Sequence, residues 1–148
     1  MKKTLLALCA LFVSLFANAQ NDKADNIIGT YAAGVGKDAY KVQITKLPDG
    51  TYQGAICWLA DNKDADGKIK LDKKNPDKSL RNTPMDKTVL FKGLAYDSAK
   101  KQWSGAKIYD PDRGISVKMT AKFENAGTLT IRGTVLGIGE SVNWKKEQ

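Results

Sequence analysis

The sequence contains no histidine, only two cysteines and no helical hydrophobic period after its first 19 residues. Without histidine, the commonest general base near neutral pH is missing, and Cys-His or Ser-His nucleophile pairs are excluded. Cys9 lies in a segment that we expect to be removed, so Cys57 would be the last thiol and no internal disulfide could form. We expect Cys57 to pack as a small hydrophobe in an apolar strand. The composition therefore gives catalysis little material and points away from an α-helical fold.

The first 19 residues have the features of a signal peptide. A positively charged start is followed by an apolar run over residues 4–16 and by a small-residue cleavage site, Ala17-Asn18-Ala19. Cys9 lies inside the apolar run, which argues against a lipoprotein. We therefore expect cleavage after Ala19, export to the periplasm or the medium, and one domain over residues 20–148, which we expect to be monomeric.

The net charge is +8, and it falls to +6 once Lys2 and Lys3 are removed with the signal peptide. A basic chain can be drawn to anionic surfaces, but an excess of charge also serves solubility alone. The basic residues are interleaved with acids and form no dense stripe or stacking motif, so nucleic-acid binding is not expected. No later stretch is long and apolar enough to cross a bilayer.

Alternation of apolar and polar residues dominates the remaining chain, which is the pattern of half-buried β-strands. Between residues 115 and 124, every second residue is apolar, and the next strand repeats the pattern after the turn Asn125-Ala126-Gly127. Pro48-Asp49-Gly50 marks another tight turn. The predicted strands cover residues 27–33, 40–45, 52–58, 88–96, 102–109, 115–124, 128–135 and 140–144.

Eight strands in sequence order, mostly joined by tight turns, predict a single up-and-down antiparallel barrel. Closure removes the exposed edges that an open meander would leave. The interior of an eight-stranded barrel is either filled by side chains or able to hold one small ligand. A β-sandwich is the alternative, but it usually needs long crossover connections, and the only long connection here is the segment 61–86 between strands 3 and 4.

The segment 61–86 carries 13 charges in 26 residues and has almost no strand or helix pattern. Such a long connection inside a compact domain is usually functional or disordered. Its first part, with Asn62, Asp64 and Asp66 before a glycine, matches the front half of a calcium-binding loop. The twelfth position of that loop is Lys73 instead of glutamate, and further lysines would repel a cation, so a polar turn is the favoured interpretation.

Several motifs in the correct order resemble a bacterial exported family, the domain of unknown function 2147. They are Gly29-x-Tyr31, Val42-x-Ile44 with Asp49-Gly50-x-Tyr52-x-Gly54-x-Ile56, Asp72-x-x-Asn75-Pro76-Asp77-x-x-Leu80-Arg81-x-x-Pro84, Trp103-x-Gly105-x-x-Ile108-Tyr109-Asp110-Pro111-x-x-Gly114, Leu129-x-Ile131-Arg132-Gly133 and a final Trp144. The resemblance covers nearly the whole chain after the signal peptide. It implies a small periplasmic or secreted domain with a lipocalin-like barrel and no established activity.

The chain departs from the family at a few positions. The family usually has tryptophan at Tyr31, glycine at Asp86 and an aromatic residue at Val117, and it usually has an arginine near the final Trp144 that this chain lacks.

Asp72, Asn75, Asp77 and Arg81 are the polar residues of the loop motif. One interpretation is structural: the Asx side chains and Arg81 hold the loop's own backbone together. The other is that Arg81 presents its donors to a carboxylate or phosphate at the mouth of the barrel. An enzyme that uses paired carboxylates, from Asp72, Asp77 and Asp110, remains a third alternative.

The remaining candidates lie on the strands. We expect Tyr109 and Asp110 to shape a hairpin turn. Arg132 interrupts a face of threonines, and it either closes the barrel by stacking on Trp144, by analogy with lipocalins, or lies on a solvated face. The aromatic residues expected inside the barrel are Tyr31, Trp58, Trp103 and Trp144.

Besides the carboxylate enzyme, two non-enzymatic functions remain open from the sequence. The first is a non-enzymatic binding protein that holds a small apolar or amphipathic molecule inside the barrel, with no cofactor. The alternative is a solid barrel that acts as an envelope interaction or inhibitor protein through the segment 61–86. The volume and lining of the barrel interior separate these two hypotheses.

Overall fold

The computed structural model describes residues 19–135 and 137–148. The apolar run of the expected signal peptide lies outside these residues. In the described part of the chain, no helix combines the length and the apolar character needed to span a bilayer.

The fold is a closed barrel of eight strands in sequence order, each antiparallel to its neighbours. The pairing of the first strand with the last closes the barrel, which confirms the predicted up-and-down architecture. Each strand begins and ends within two residues of its predicted bounds. The strands are β1 Gly29–Ala33, β2 Tyr40–Lys46, β3 Tyr52–Leu59, β4 Val89–Asp97, β5 Gln102–Asp110, β6 Ile115–Asn125, β7 Thr128–Val135 and β8 Ile138–Lys146.

The connections divide the barrel into two different ends. At one end, short turns join β2 to β3, β4 to β5 and β6 to β7. At the other end, here called the mouth, the long segment 60–88 joins β3 to β4, as predicted. Short 3-10 helices occupy parts of the connections, at Ala24–Ile27, Gly36–Asp38, Lys78–Leu80 and Met85–Lys87.

The end opposite the mouth is closed by residues that precede β1. The indole of Trp103 donates to the carbonyl oxygen of Ala24 (3.1 Å), and the hydroxyl of Tyr31 donates to that of Ile27 (2.8 Å). Asn21 forms two hydrogen bonds with the backbone of Phe123, each 2.9 Å long. The aromatic and aliphatic side chains above this plug form the core, so the closed half of the barrel is solid.

The expected positions of Cys57 and Trp58 are wrong. Lys41 pairs with Trp58 but Val42 pairs with Ile56, so Cys57 is the extra residue of a β-bulge. A bulge breaks the alternation of faces. Cys57 is therefore exposed, and the Trp58 side chain lies outside the barrel, where the Lys41 ammonium lies 5.7 Å from the centre of its ring.

Arg132 lies on the solvated face of β7, so the alternative in which it stacks on Trp144 is wrong. Arg132 is exposed, whereas Trp144 is 1% exposed inside the barrel. A lysine, and not Arg132, lies against an aromatic ring near the closed end of the barrel. Lys146 Nζ donates to the carbonyl oxygen of Asn26 (2.6 Å) and lies 5.9 Å from the ring centre of Tyr31. Burial lowers the pKa of Lys146.

Candidate functional site

The mouth half of the barrel contains a cavity of about 860 Å³. Trp144 is its floor, since one side of the indole lines the cavity while Tyr31 and Phe91 contact the ring from the filled half. The indole N–H donates to the hydroxyl of Tyr40 (3.1 Å), which also lines the cavity. The interior is therefore open, and its volume lies within the range of about 300–1,000 Å³ that is usual for small-molecule sites.

The walls of the cavity are aliphatic because the inward positions of six strands carry branched side chains at this level. Ile138 and Val135 lie at the rim of the cavity, where their side chains are exposed to solvent. The aliphatic wall residues below them are Ile56, Leu90, Ile108, Val117, Ile131 and Val142.

The loop motif forms a compact turn beside the mouth. Asn75 donates from its side-chain amide to Asp72 Oδ2 (2.7 Å), and its Oδ1 accepts from the backbone N–H of Asp77 (2.9 Å). Asp77 in turn accepts from the backbone N–H of Ser79 at the start of the Lys78–Leu80 helix. Arg81 Nε donates to the carbonyl oxygen of Asn75 (2.8 Å), so these side chains bind the backbone of their own segment.

Asp72 connects this turn to the barrel wall. The hydroxyl of Tyr109, on β5, donates to Asp72 Oδ1 (2.7 Å), and the Asp72 side chain is 1% exposed. Burial and then the nearby Asp72 raise the pKa of Tyr109 well above its usual range, so the hydroxyl remains a donor. The two most specific motifs of the sequence therefore meet at a buried hydrogen bond.

A second contact joins the same two motifs. Gly114 has a φ of 68°, and a Cβ atom there would lie 2.5 Å from the carbonyl oxygen of Lys74. The Lys74 ammonium donates to the carbonyl oxygen of Asp112 (2.5 Å) in the same turn. Glycine is thus required at position 114 both by its backbone conformation and by the close approach of the loop.

Asp110 shapes the turn between β5 and β6. Its Oδ1 accepts from the backbone N–H of Asp112 (3.0 Å), and its Oδ2 accepts from Arg113 Nε (2.6 Å). Partial burial alone would raise the pKa of Asp110, but the hydrogen bonds from Arg113 and the backbone outweigh it and hold the pKa below its usual value.

A smaller hollow of about 390 Å³ lies outside the barrel wall, between the loop and β4. It exists because β4 and β5 pair only near the turn that joins them. The paired residues extend from Asp97 opposite Gln102 to Ala95 opposite Ser104. Leu80 is among its lining residues, and Arg81 lines neither this hollow nor the cavity.

The calcium-like pattern is a small hairpin in the structure. Asp64 Oδ1 accepts from the backbone N–H groups of Asp66 (2.9 Å) and Lys68 (3.0 Å), and Lys63 pairs with Ile69. Asn62 donates its side-chain amide to Asp86 (3.1 Å). Asp64 therefore serves the turn, whereas Asn62 Oδ1 is buried without a hydrogen-bond partner among the described residues. The same residues contain no cluster of three or more metal-binding side chains.

The candidate carboxylates form no shared site. Asp72 is buried against Tyr109 and Asn75, Asp77 accepts from Ser79, and Asp110 is held by Arg113. Asp72 does not point to solvent, and its two oxygens accept hydrogen bonds within the protein.

Sequence reasoning missed the residue that links the floor to the cavity, Tyr40. Tyr40 is the first residue of the predicted strand 40–45, and no local pattern separates a cavity-lining tyrosine from a packed one. It also missed part of the rim, because the last strand was predicted to begin at residue 140, whereas β8 begins at Ile138. The predicted Tyr31, Trp103 and Trp144 do lie inside the barrel.

Comparison with known proteins adds a family and a fold. No curated protein matches the chain. A similar solved structure is described as "Protein HP1028 from the human pathogen Helicobacter pylori belongs to the lipocalin family". The two share 23% sequence identity with a TM-score of 0.65, over 82% of this chain and 83% of that one. This likeness supports the predicted lipocalin-like fold and says nothing of a ligand.

The family comparison matches the resemblance seen in the motifs. The model of the family DUF2147, described as "Uncharacterized protein conserved in bacteria", matches residues 29–146. That range begins at the first residue of β1 and includes all eight strands. Since the match covers most of the sequence, the chain belongs to the DUF2147 family of bacterial proteins.

Proposed function

We propose that this protein binds a small apolar or amphipathic molecule inside its barrel. The observation that carries the proposal is the cavity of about 860 Å³, which opens at the mouth and has aliphatic walls. Removing apolar ligand surface from water contributes about 25 cal/mol per Å², so such walls favour an apolar guest. The lipocalin-like fold supports the same function.

The alternative hypothesis, a solid barrel that docks a partner through the segment 61–86, is less well supported. Its premise is a filled interior, and the mouth half of the barrel is open. The loop side chains that could contact a partner, such as Arg81 and Asp77, are engaged in holding their own turn. A non-enzymatic role agrees with the separate positions of the candidate carboxylates.

Export remains part of the proposal. The first 19 residues have the composition of a signal peptide, and we propose that the domain works in the periplasm or outside the cell. N-terminal sequencing of the protein purified from its own host would test cleavage after Ala19. Recovery of the intact N-terminus from the cytoplasmic fraction alone would refute export.

Binding is best tested with an uncharged fluorescent probe, N-phenyl-1-naphthylamine, titrated into the purified domain. We expect saturable fluorescence enhancement. Val142→Trp should weaken probe binding because it fills the cavity from β8, whereas Val89→Trp, at a valine of similar exposure that does not line the cavity, should not.

The titration can contradict the proposal in two ways. Absence of probe binding by the wild type, or equal binding by Val142→Trp and the wild type, would contradict the proposal. Native mass spectrometry of the protein from its own host provides a second test, in which a bound mass would identify the natural ligand.

A further inference from the structure

Tyr40 provides a hydrogen-bond donor at the floor of the cavity. Its hydroxyl accepts from the indole N–H of Trp144 (3.1 Å), and the two rings meet edge to face at 6.4 Å. A phenol hydroxyl can accept and donate at once. The described residues offer no acceptor for its O–H, so that hydrogen is free to bond to a guest in the cavity.

The state of this hydroxyl suits a donor role. Burial raises the pKa of Tyr40 and outweighs the opposing hydrogen bond from Trp144, while the charge of Asp110 acts in the same direction as burial. The phenol therefore stays protonated across the physiological range. Its position is also fixed, since Trp144 is 1% exposed and packs against Phe91 and Tyr31.

The other tyrosine of the cavity offers no such donor. The hydroxyl of Tyr109 already donates to Asp72. Between floor and rim, the walls that the structure describes are aliphatic, and they contain no cation that could neutralise a buried anion. A carboxylate at the inner end of a ligand would therefore lose its hydration without a partner, which is strongly unfavourable.

The rim also disfavours an anionic ligand. Lys70 is paired with Asp61 (3.1 Å), and Arg113 is paired with Asp110 (2.6 Å). The other charged side chains around the opening form no salt bridge in the described part of the chain, and three of the four are acidic. They are Lys37, Asp38, Asp112 and Glu140.

We propose that the cavity selects uncharged molecules that have an apolar body and an acceptor oxygen, such as a ketone, ester or ether, which bonds to the Tyr40 hydroxyl at the floor. This proposal rests on the proposed binding function. It specifies in addition the polarity of the ligand and the residue that recognises it. The apolar body lies along the walls, while no charge has to enter the cavity.

The test compares two guests of nearly equal shape, hexanophenone and hexylbenzene, which differ by a carbonyl in place of a methylene. Their affinities are measured by displacement of N-phenyl-1-naphthylamine from wild type, Tyr40→Phe and Tyr52→Phe. We expect Tyr40→Phe to lower the ratio of ketone to hydrocarbon affinity about 5–10-fold, as the loss of one hydrogen bond predicts. Tyr52→Phe should leave the ratio unchanged, because Tyr52 does not line the cavity and its hydroxyl donates to Asp25 at the closed end.

The ratio isolates the hydroxyl, because any loss of packing around Trp144 weakens both guests alike. An equal ratio in wild type and Tyr40→Phe, or an equal fall in both variants, would overturn the ligand class and leave binding itself intact. Failure of the wild type to bind either guest would instead contradict the proposed function.

A second measurement needs no variant. The infrared carbonyl stretch of hexanophenone bound to the wild type should lie below its value in an aprotic solvent, because a hydrogen bond weakens the C=O bond. An unshifted stretch would overturn the proposal. Decanoate should compete more weakly than 2-decanone, and the reverse order would also contradict it.

Discussion

The hydrogen bond between Tyr109 and Asp72 offers the sharpest test of how the loop is joined to the barrel. Tyr109→Phe removes the hydroxyl that donates to Asp72 Oδ1 at 2.7 Å and leaves the ring in place. Asp72 is 1% exposed, and its second oxygen accepts from Asn75 (2.7 Å). The substitution therefore leaves one oxygen of a buried carboxyl group without a partner.

The expected loss follows from that burial. A hydrogen bond to a charged group contributes about 1.5–3 kcal/mol, and an abandoned buried acceptor costs its full desolvation. We expect Tyr109→Phe to lower the free energy of unfolding by about 2 kcal/mol, measured by urea denaturation at pH 7. The slope of the transition should not change if the loop unfolds together with the barrel.

The chain provides a matched control. Tyr52 also donates its hydroxyl to a carboxylate, Asp25 Oδ1 (2.5 Å), at the closed end. The Asp25 side chain is 58% exposed and also contacts Lys46 (3.0 Å), so water can replace the lost donor. Tyr52→Phe should therefore cost clearly less than Tyr109→Phe. An equal or larger loss in Tyr52→Phe would refute the claim that burial of Asp72 makes its hydrogen bond the stronger one.

Three further predictions concern the turn, the exposed tryptophan and pH. Gly36→Ala should cost about 1–2 kcal/mol of stability because the φ of Gly36 is positive. Gly114→Ala should cost more, because φ is positive there too and the new Cβ would also meet Lys74. Equal urea midpoints for the two variants would contradict this. Trp58→Phe should remove the acrylamide-quenchable part of the tryptophan fluorescence, whereas quenching that persists would place that side chain inside the barrel. Stability should fall as pH rises above about 10, because the tyrosine pKa values are raised in the folded state and the unfolded chain then binds fewer protons. The lowered pKa of Lys146 contributes in the opposite direction. A urea midpoint that stays constant from pH 8 to 11 would contradict this prediction. The tyrosines with the largest upward shifts are Tyr31, Tyr52 and Tyr109.

The strands could be predicted because their pattern is local. Alternation within β6 identifies its inward face without knowledge of any partner, and the structure places Met119, Ala121 and Phe123 in the core. The position of Trp58 could not be predicted in the same way. A bulge depends on which residue of β2 lies opposite, and a one-residue slip moves every following side chain to the other face.

The candidate site was harder to predict than the fold because its parts are distant in sequence. The motifs around Asp72 and Tyr109 were both recognised, but neither motif indicates that the two side chains meet 37 positions apart. The pattern at Asp64 illustrates the opposite problem. Alternate oxygen side chains before a glycine suit both a calcium loop and a hairpin turn, and only the backbone hydrogen bonds separate them.

Whether the interior is filled depends on the sizes of the inward side chains at each level of the barrel. Strand number and tilt fix the cross-section, so the side chains at a given level either fill it or leave a space. On β6 the inward side chain near the closed end is Phe123, and the one near the mouth is Val117. On β8 the same change runs from Trp144 to Val142. The aromatic levels can close the barrel and the valine levels cannot, so the cavity follows from a decrease in side-chain size along neighbouring strands. Trp144 stands at the boundary, which is why its N–H can hold Tyr40 at the floor of the open half.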